Sequence, residues 1–203
     1  MTTQTRKNNV LTTRTMTKIA ILSALAAALM WLEFPIFFAP SFMGIDFSDV
    51  PVILAGYTIS PIAGVLTGIF KIVIKLLIKP TSTAFIGELS NLFLTVVYVL
   101  TATIYYKRHR NFKGAIVSLI LATFVISIAG FLSNAFVIYP LYAFALNMDI
   151  NGIVTMTSKI NGFVNNYWTM MFFMVIPFNL LKYSLVSIVT LMLYKHVSPI
   201  LKS

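Results

Sequence analysis

Five polar residues stand out in an otherwise apolar sequence: Glu88 and Asn91 in "GELSN", Asn134 in "NAFVIYP", and Asn179 and Lys182 in "PFNLLK". Residues three apart share a helix face, so Glu88 lies over Asn91 and Asn179 over Lys182. Polar groups within an apolar bundle are costly to bury and point to function by default. An amide both donates and accepts, so this set suits an uncharged ligand rich in hydroxyls and ring carbonyls. The structural alternative is a buried Glu88–Lys182 ion pair with the asparagines bonded to backbone. Lys71 and Lys75, four apart, would serve an anionic ligand; the favoured reading is that they snorkel towards the outer surface.

Other chemistries are poorly served. There are no cysteines, hence no thiolate ligand, thiol nucleophile or disulfide. His109 and His196 both lie beside basic residues near expected helix ends and read as solvated flank residues rather than metal ligands. No phosphate-binding loop and no kinase or hydrolase motif is present. Glu88 is the one acidic residue placed within a helix, so no carboxylate chain for a proton relay can be drawn. No nucleophile, base and orienter can be assembled either, which argues against an enzyme. Neither catalytic residues nor a resident cofactor are expected.

The elements that position these residues follow from composition. Hydrophobic residues make up 59% of the 203, charged residues 10%, and the mean hydropathy is +0.91, values of an integral membrane protein. The net charge of +10 does not indicate a nucleic-acid partner, because the basic residues cluster at segment ends. Arg6, Lys7, Arg14 and Lys18 precede the first apolar run; Lys107, Arg108, Arg110 and Lys113 form a second group; Lys195 and Lys202 close the chain. Such clusters mark loops retained in the cytoplasm. Residues 1–16 read as a flexible basic cytoplasmic tail. Ala24-Leu25-Ala26 resembles a signal cleavage site, but the apolar run continues to Leu32, so an uncleaved first helix is expected.

Hydropathy predicts helix 1 over about residues 17–34, helix 4 over 84–106 and helix 5 over 114–139, with a possible continuation past Pro140. Residues 50–80 break at Ser60-Pro61 into a short helix 2, about 50–59, and helix 3, about 62–79. Two crossings there keep both basic clusters on one side. Pro177 suits the first position of helix 6, over about 177–197. The expectation is an all-α integral membrane protein, one six-helix domain over 17–203 with both termini cytoplasmic. Long outer loops after helix 1 and between helices 5 and 6 would form a lid. Residues 167–176 remain open between lid and helix 6. Ala20, Ala24 and Ala28 form a small-residue stripe for close helix approach, and Gly64 and Gly68 a second, assigned to packing within the bundle.

Taken in order, "WLEFP…IDFSDVP", "SPIAGV", "TSTAFIGELSN", "NAFVIYPLYA" and "PFNLLK" resemble the riboflavin-specific substrate-binding (S) components of energy-coupling factor (ECF) transporters. The resemblance covers about residues 17–195; the N-terminal tail has no counterpart in it. It implies a six-helix protein of the bacterial cytoplasmic membrane that captures riboflavin as transported ligand from outside. It also implies two kinds of partner besides membrane lipid: a transmembrane T component and two cytoplasmic ATPases, within which the S component topples to release cargo. By resemblance Glu88, Asn91, Asn134, Asn179 and Lys182 bind the ligand, and Phe42, Met43 and Asp46 are lid candidates. Ala20, Ala24 and Ala28 would dock the T component. Two alternatives stay open: an S component for another vitamin such as thiamin, and a self-sufficient proton-coupled carrier using Glu88.

Overall fold

The computed structural model describes residues 12–37, 43–81, 83–145 and 149–202. Nearly all regular structure is helical. Helix α1 (Thr13–Trp31) starts four residues before the predicted Thr17, because the Thr12 side chain caps it by accepting from the Thr15 N–H. A two-residue ladder follows, missed in the sequence: β1 (Phe34–Pro35) pairs antiparallel with β2 (Gly44–Ile45), Phe34 opposite Ile45. It ties together the two ends of the loop that carries Met43 and Asp46.

Helices α2 (Asp49–Thr58) and α3 (Pro61–Ile78) break where predicted. Ser60 caps α3 by accepting from the Ala63 N–H, and Pro61 fills the first position, where no N–H is needed. At ten residues α2 spans about 15 Å, half of a bilayer's hydrocarbon. Residues Asp49 to Tyr57 are all buried among α1, α3, α4 and α9, so its neighbours shield it as its length requires. Gly64 and Gly68 serve that packing. A methyl group at Gly64 would come 2.6 Å from Val99 and 3.1 Å from the Gly56 Cα, and one at Gly68 would come 2.9 Å from Thr95.

Helix α4 (Ile86–Arg108) begins after Ala84 and Phe85, both with positive φ. The left-handed region is costly for side-chain-bearing residues and is held here by hydrogen bonds from the Thr83 and Phe85 N–H groups to Thr81 Oγ1. Helix α5 (Phe112–Ser133) runs without a break through a wide π turn (Asn134–Ile138) into α6 (Tyr139–Ala145), as the continuation past Pro140 anticipated. Helix α7 (Ile150–Ile160) was hidden in a polar stretch; Asp149 caps it, and it buries Ile153, Val154 and Thr157 on one face.

Pro177 does not start a helix. Helix α8 (Tyr167–Met170), a π turn (Met171–Val175) and α9 (Ile176–Lys202) form one continuous rod, so residues 167–176 extend helix 6. Asn166 supplies a capping box at the true start. The wide turn lets the chain pass Pro177. In an α-helix residue 177 would donate to the Phe173 carbonyl; Pro cannot, and the Asn161 side chain donates to it instead, at 3.0 Å.

Five of these helical stretches are long and apolar enough to cross a membrane: 13–31, 61–78, 86–108, 112–145 and 167–195. Less than half of each is buried within the protein, so their outer faces suit lipid. The core lies between α2, α4, α5 and α9, with Val52, Ile53, Val99, Leu119 and Ile126 at its centre. Buried tyrosine hydroxyls find partners there: Tyr98 with Ser187 at 2.7 Å, Tyr57 with Ser118, and Tyr106 with Tyr194.

Gly64→Val should lower stability by about 1–3 kcal/mol through overpacking against Val99 and Gly56, read as a lower thermal unfolding midpoint in detergent.

Candidate ligand-binding site

At one end of the bundle the loop after α1 meets the last turns of α1 and α3, the π turn and α6 that continue α5, and the first turns of α4 and α9. They enclose a cavity of about 600 Å³. Glu88, Asn91, Asn134, Asn179, Lys182, Met43 and Asp46 all line it. Phe42, the remaining lid candidate, lies outside the described residues. Apolar walls come from Met30, Leu94, Ile138 and Phe178, with Tyr139, Tyr142 and Tyr183 as amphipathic ones.

The two deep asparagines are fixed by their own helices. Asn134 Nδ2 donates to the Gly130 carbonyl at 2.7 Å and Asn179 Nδ2 to the Val175 carbonyl at 2.9 Å. Each keeps a second amide N–H and a carbonyl oxygen for a ligand. Gly130 lets them approach: a methyl group there would come 2.7 Å from Asn179 Nδ2. The π turn at 134–138 matters as well. Its Tyr139 N–H bonds to the Asn134 carbonyl five residues back, which places Asn134 and Tyr139 on one wall of the cavity.

The charged residues do not form the pair that the structural alternative offered. Glu88 and Lys182 are not partners: Lys182 Nζ donates to Asp46 Oδ2 at 2.7 Å, whereas Glu88 takes Lys75 on one oxygen and the hydroxyls of Thr81 (2.9 Å) and Thr83 (3.0 Å) on the other. Lys71 and Lys75 do not snorkel. Lys71 is fully buried against Asp49, 2.6 Å away, and Lys75 turns to Glu88. Nor is Glu88 the sole acidic residue in a helix, since Asp49 opens α2. The physical reason is common to all three corrections. A charge in an apolar bundle is retained where an opposite charge lies within reach, and the loop and α2 bring two carboxylates that hydropathy had placed outside.

Pairing sets the state of Asp46. Burial opposes its charge, but the Lys182 and Lys71 ammoniums and hydrogen bonds from Lys182 and the Ser48 N–H outweigh that, holding its carboxyl down at about 2. The four charged groups inside the cavity thus cancel in two pairs, with Lys71–Asp49 a third pair behind its wall, leaving exposed Glu33 and Lys79 at the rim. A neutral cavity with amides, hydroxyls and aromatic walls fits an uncharged polar ring system. Among the described residues no group of three or more His, Cys, Asp or Glu side chains could hold a metal ion.

Tyr139, Tyr142 and Thr83 also line the cavity and were not singled out from the sequence; Lys75, read there as snorkelling, lines it too. Tyr142 was legible in principle, two helical turns beyond Asn134. Away from the cavity, Ala20, Ala24 and Ala28 lie exposed along α1, while Ile19, Leu22, Ser23, Ala26 and Ala27 face inward.

Residues 14–194 match the family model described as "ECF transporter, substrate-specific component". The riboflavin transporter RibU of Staphylococcus aureus is 34% identical over 198 residues, covering 97% of both chains. The riboflavin transporter FmnP of Bacillus subtilis is 27% identical, covering 89% of this chain and 90% of its own. A solved S component of a bacterial ECF transporter superposes with a TM-score of 0.70 at 33% identity, covering 93% of this chain and 97% of that one.

Because pairing lowers the Asp46 pKa from its ordinary 3.8, the pair's contribution is complete above pH 3.8 and is lost as pH falls through about 2. Asp46→Asn should therefore cost about 3–5 kcal/mol, the price of leaving Lys182 buried and unpaired. The gap in unfolding midpoint between the variant and the parent should hold steady from about pH 8 to pH 5 and narrow below about pH 4.

Proposed function

The chain belongs to the family of ECF transporter substrate-specific components, and we propose that within it this protein captures riboflavin and delivers it across the membrane. The observation that carries this reading is the convergence of Asn91, Asn134, Asn179, Glu88 and Lys182 on one charge-balanced cavity walled by Tyr139, Phe178 and Met43. The isoalloxazine ring is planar and polar-edged; its carbonyls and the ribityl hydroxyls need donors and acceptors once water is gone. The rings of Tyr139 and Phe178 offer its faces apolar contact. The charge balance favours an uncharged ligand over a cation such as thiamin. Glu88, held by Lys75 and two threonines, is poorly placed to titrate as a proton carrier.

The membrane arrangement we propose has six crossings, with the buried α2 as the sixth and both termini cytoplasmic. The basic residues at 107–113 and Lys195 lie at the end opposite the cavity, in keeping with the positive-inside bias. The cavity then opens outward, with Met43 and Asp46 on its lid. The protein has no nucleotide site of its own in this reading and no catalytic role. A T component and two ATPases supply the energy, and the exposed stripe of Ala20, Ala24 and Ala28 is the docking face.

Purified from cells that make riboflavin, the protein should be yellow, with a flavin absorbance spectrum near one per chain. Asn179→Ala and Lys182→Ala should each weaken binding by about tenfold or more, read by quenching of riboflavin fluorescence. A colourless parent that leaves added riboflavin fluorescence unquenched overturns the assignment. Ala24→Trp should leave that binding intact and abolish ATP-driven uptake by the assembled transporter.

A further inference from the structure

Of the three ion pairs near the cavity, Lys71–Asp49 is the one that does not line it; both side chains are wholly buried. The three ammonium protons of Lys71 go to Asp49 Oδ1 (2.6 Å), Ser48 Oγ (2.9 Å) and Thr95 Oγ1 (2.9 Å). Two of these contacts continue to cavity residues. The Ser48 N–H donates to Asp46 Oδ1 at 2.8 Å, and the other Asp46 oxygen takes Lys182. Thr95 donates to Asp49 Oδ1 at 2.7 Å and lies 3.4 Å from Asn91 Oδ1. One buried ammonium on α3 thus joins the start of α2, the loop before it, α4 and, through Asp46, α9.

We infer that the buried Lys71–Asp49 pair is the positioning element of the cavity, holding Asp46 on Lys182 and Asn91 in place without touching a ligand. This rests on the cavity being the ligand site proposed above. The charges say how it works. Lys71 and Lys182 face Asp46 and Asp49, two cations for two anions in apolar surroundings. Among the described residues Asp49 Oδ2 has no close hydrogen-bond partner, so without Lys71 its carboxylate keeps the hydroxyls of Thr95 and the neighbouring Tyr183 but no ammonium of its own. Lys182 is then the one ammonium for two carboxylates and is drawn off Asp46, which frees the loop. Removing Lys71 and Asp49 together leaves Lys182–Asp46 intact. A packing role gives the opposite order, because the double change removes more contacts than the single one.

The chain's lack of cysteine permits a direct test. Met43→Cys puts one thiol on the loop, and its maleimide labelling is timed in ligand-free protein in three backgrounds: Lys71, Lys71→Met, and Lys71→Met with Asp49→Leu. Labelling should quicken about tenfold in the single variant and return to within about twofold of the parent in the double. Riboflavin affinity, measured with Met43 retained, should follow the same ranking, about tenfold weaker and then largely restored. Thr95→Val keeps every charge and serves if Lys71→Met does not fold; it should weaken binding about threefold and quicken labelling by a similar factor. Unchanged labelling in Lys71→Met, or in Thr95→Val where that stands in, overturns the inference, as does a double variant no better than the single one. A parent that fails to quench riboflavin overturns the ligand assignment instead, and the labelling rates alone then decide the positioning role.

Discussion

A charged side chain can stay ionised inside an apolar bundle only beside an opposite charge, and at the cavity end this protein meets that demand three times. Lys71 takes Asp49, Lys75 takes Glu88 and Lys182 takes Asp46. Each pair joins separate elements: α3 to α2, α3 to α4, and α9 to the loop after α1. The pairs therefore do more than neutralise charge. They fix the separation of the helices around the cavity and bring the loop down onto it, leaving the asparagine amides, Asn134 and Asn179 each bonded once to its own helix, with bonding capacity to spare.

The backbone obeys the same rule, since lipid offers no partner for a free N–H or carbonyl. Both long rods that wall the cavity contain a proline, Pro140 and Pro177, and both pass it through a π turn. The turn at 134–138 swings Asn134 and Tyr139 onto the same wall, and that at 171–175 precedes Asn179 and Lys182. The carbonyl that Pro177 cannot serve is taken by Asn161, beyond the end of α7. A helix breaker in each rod has thus become a device for aiming side chains into the cavity.

The proposed binding and docking surfaces are kept apart. The cavity draws on the ends of helices, where loops and breaks supply polar groups. The exposed alanine stripe lies along α1, whose other face packs on α3. A small-residue face gives a partner helix close approach without placing any polar group in lipid. On the proposed function, loading the cavity and engaging a partner would use different faces of one bundle.

Much of this was legible in the sequence because it depends on local order. Apolar runs place the starts of four of the five long helices within a few residues, the last beginning at Tyr167 and not at Pro177; Ser60-Pro61 splits α2 from α3, and three-residue spacing puts Asn179 and Lys182 on one face. Seven of the eight ligand-binding candidates meet at a single cavity; Phe42 lies outside the described residues. The ion-pair partners were not legible. Lys182 and Asp46 are 136 residues apart, and which carboxylate a lysine finds depends on where whole helices and the loop end up. The π turns were equally hidden: one extra residue in a turn leaves the hydropathy of an apolar run unchanged but rotates every side chain beyond it. Helix α7 was missed because its buried face holds only Ile153, Val154 and Thr157, too few to stand out from polar neighbours. Local chemistry, in short, determined the helices and the residue types offered on their faces. Only tertiary structure decided which charges neutralise one another, because in an apolar medium that choice is made by distance between elements and not by position along the chain.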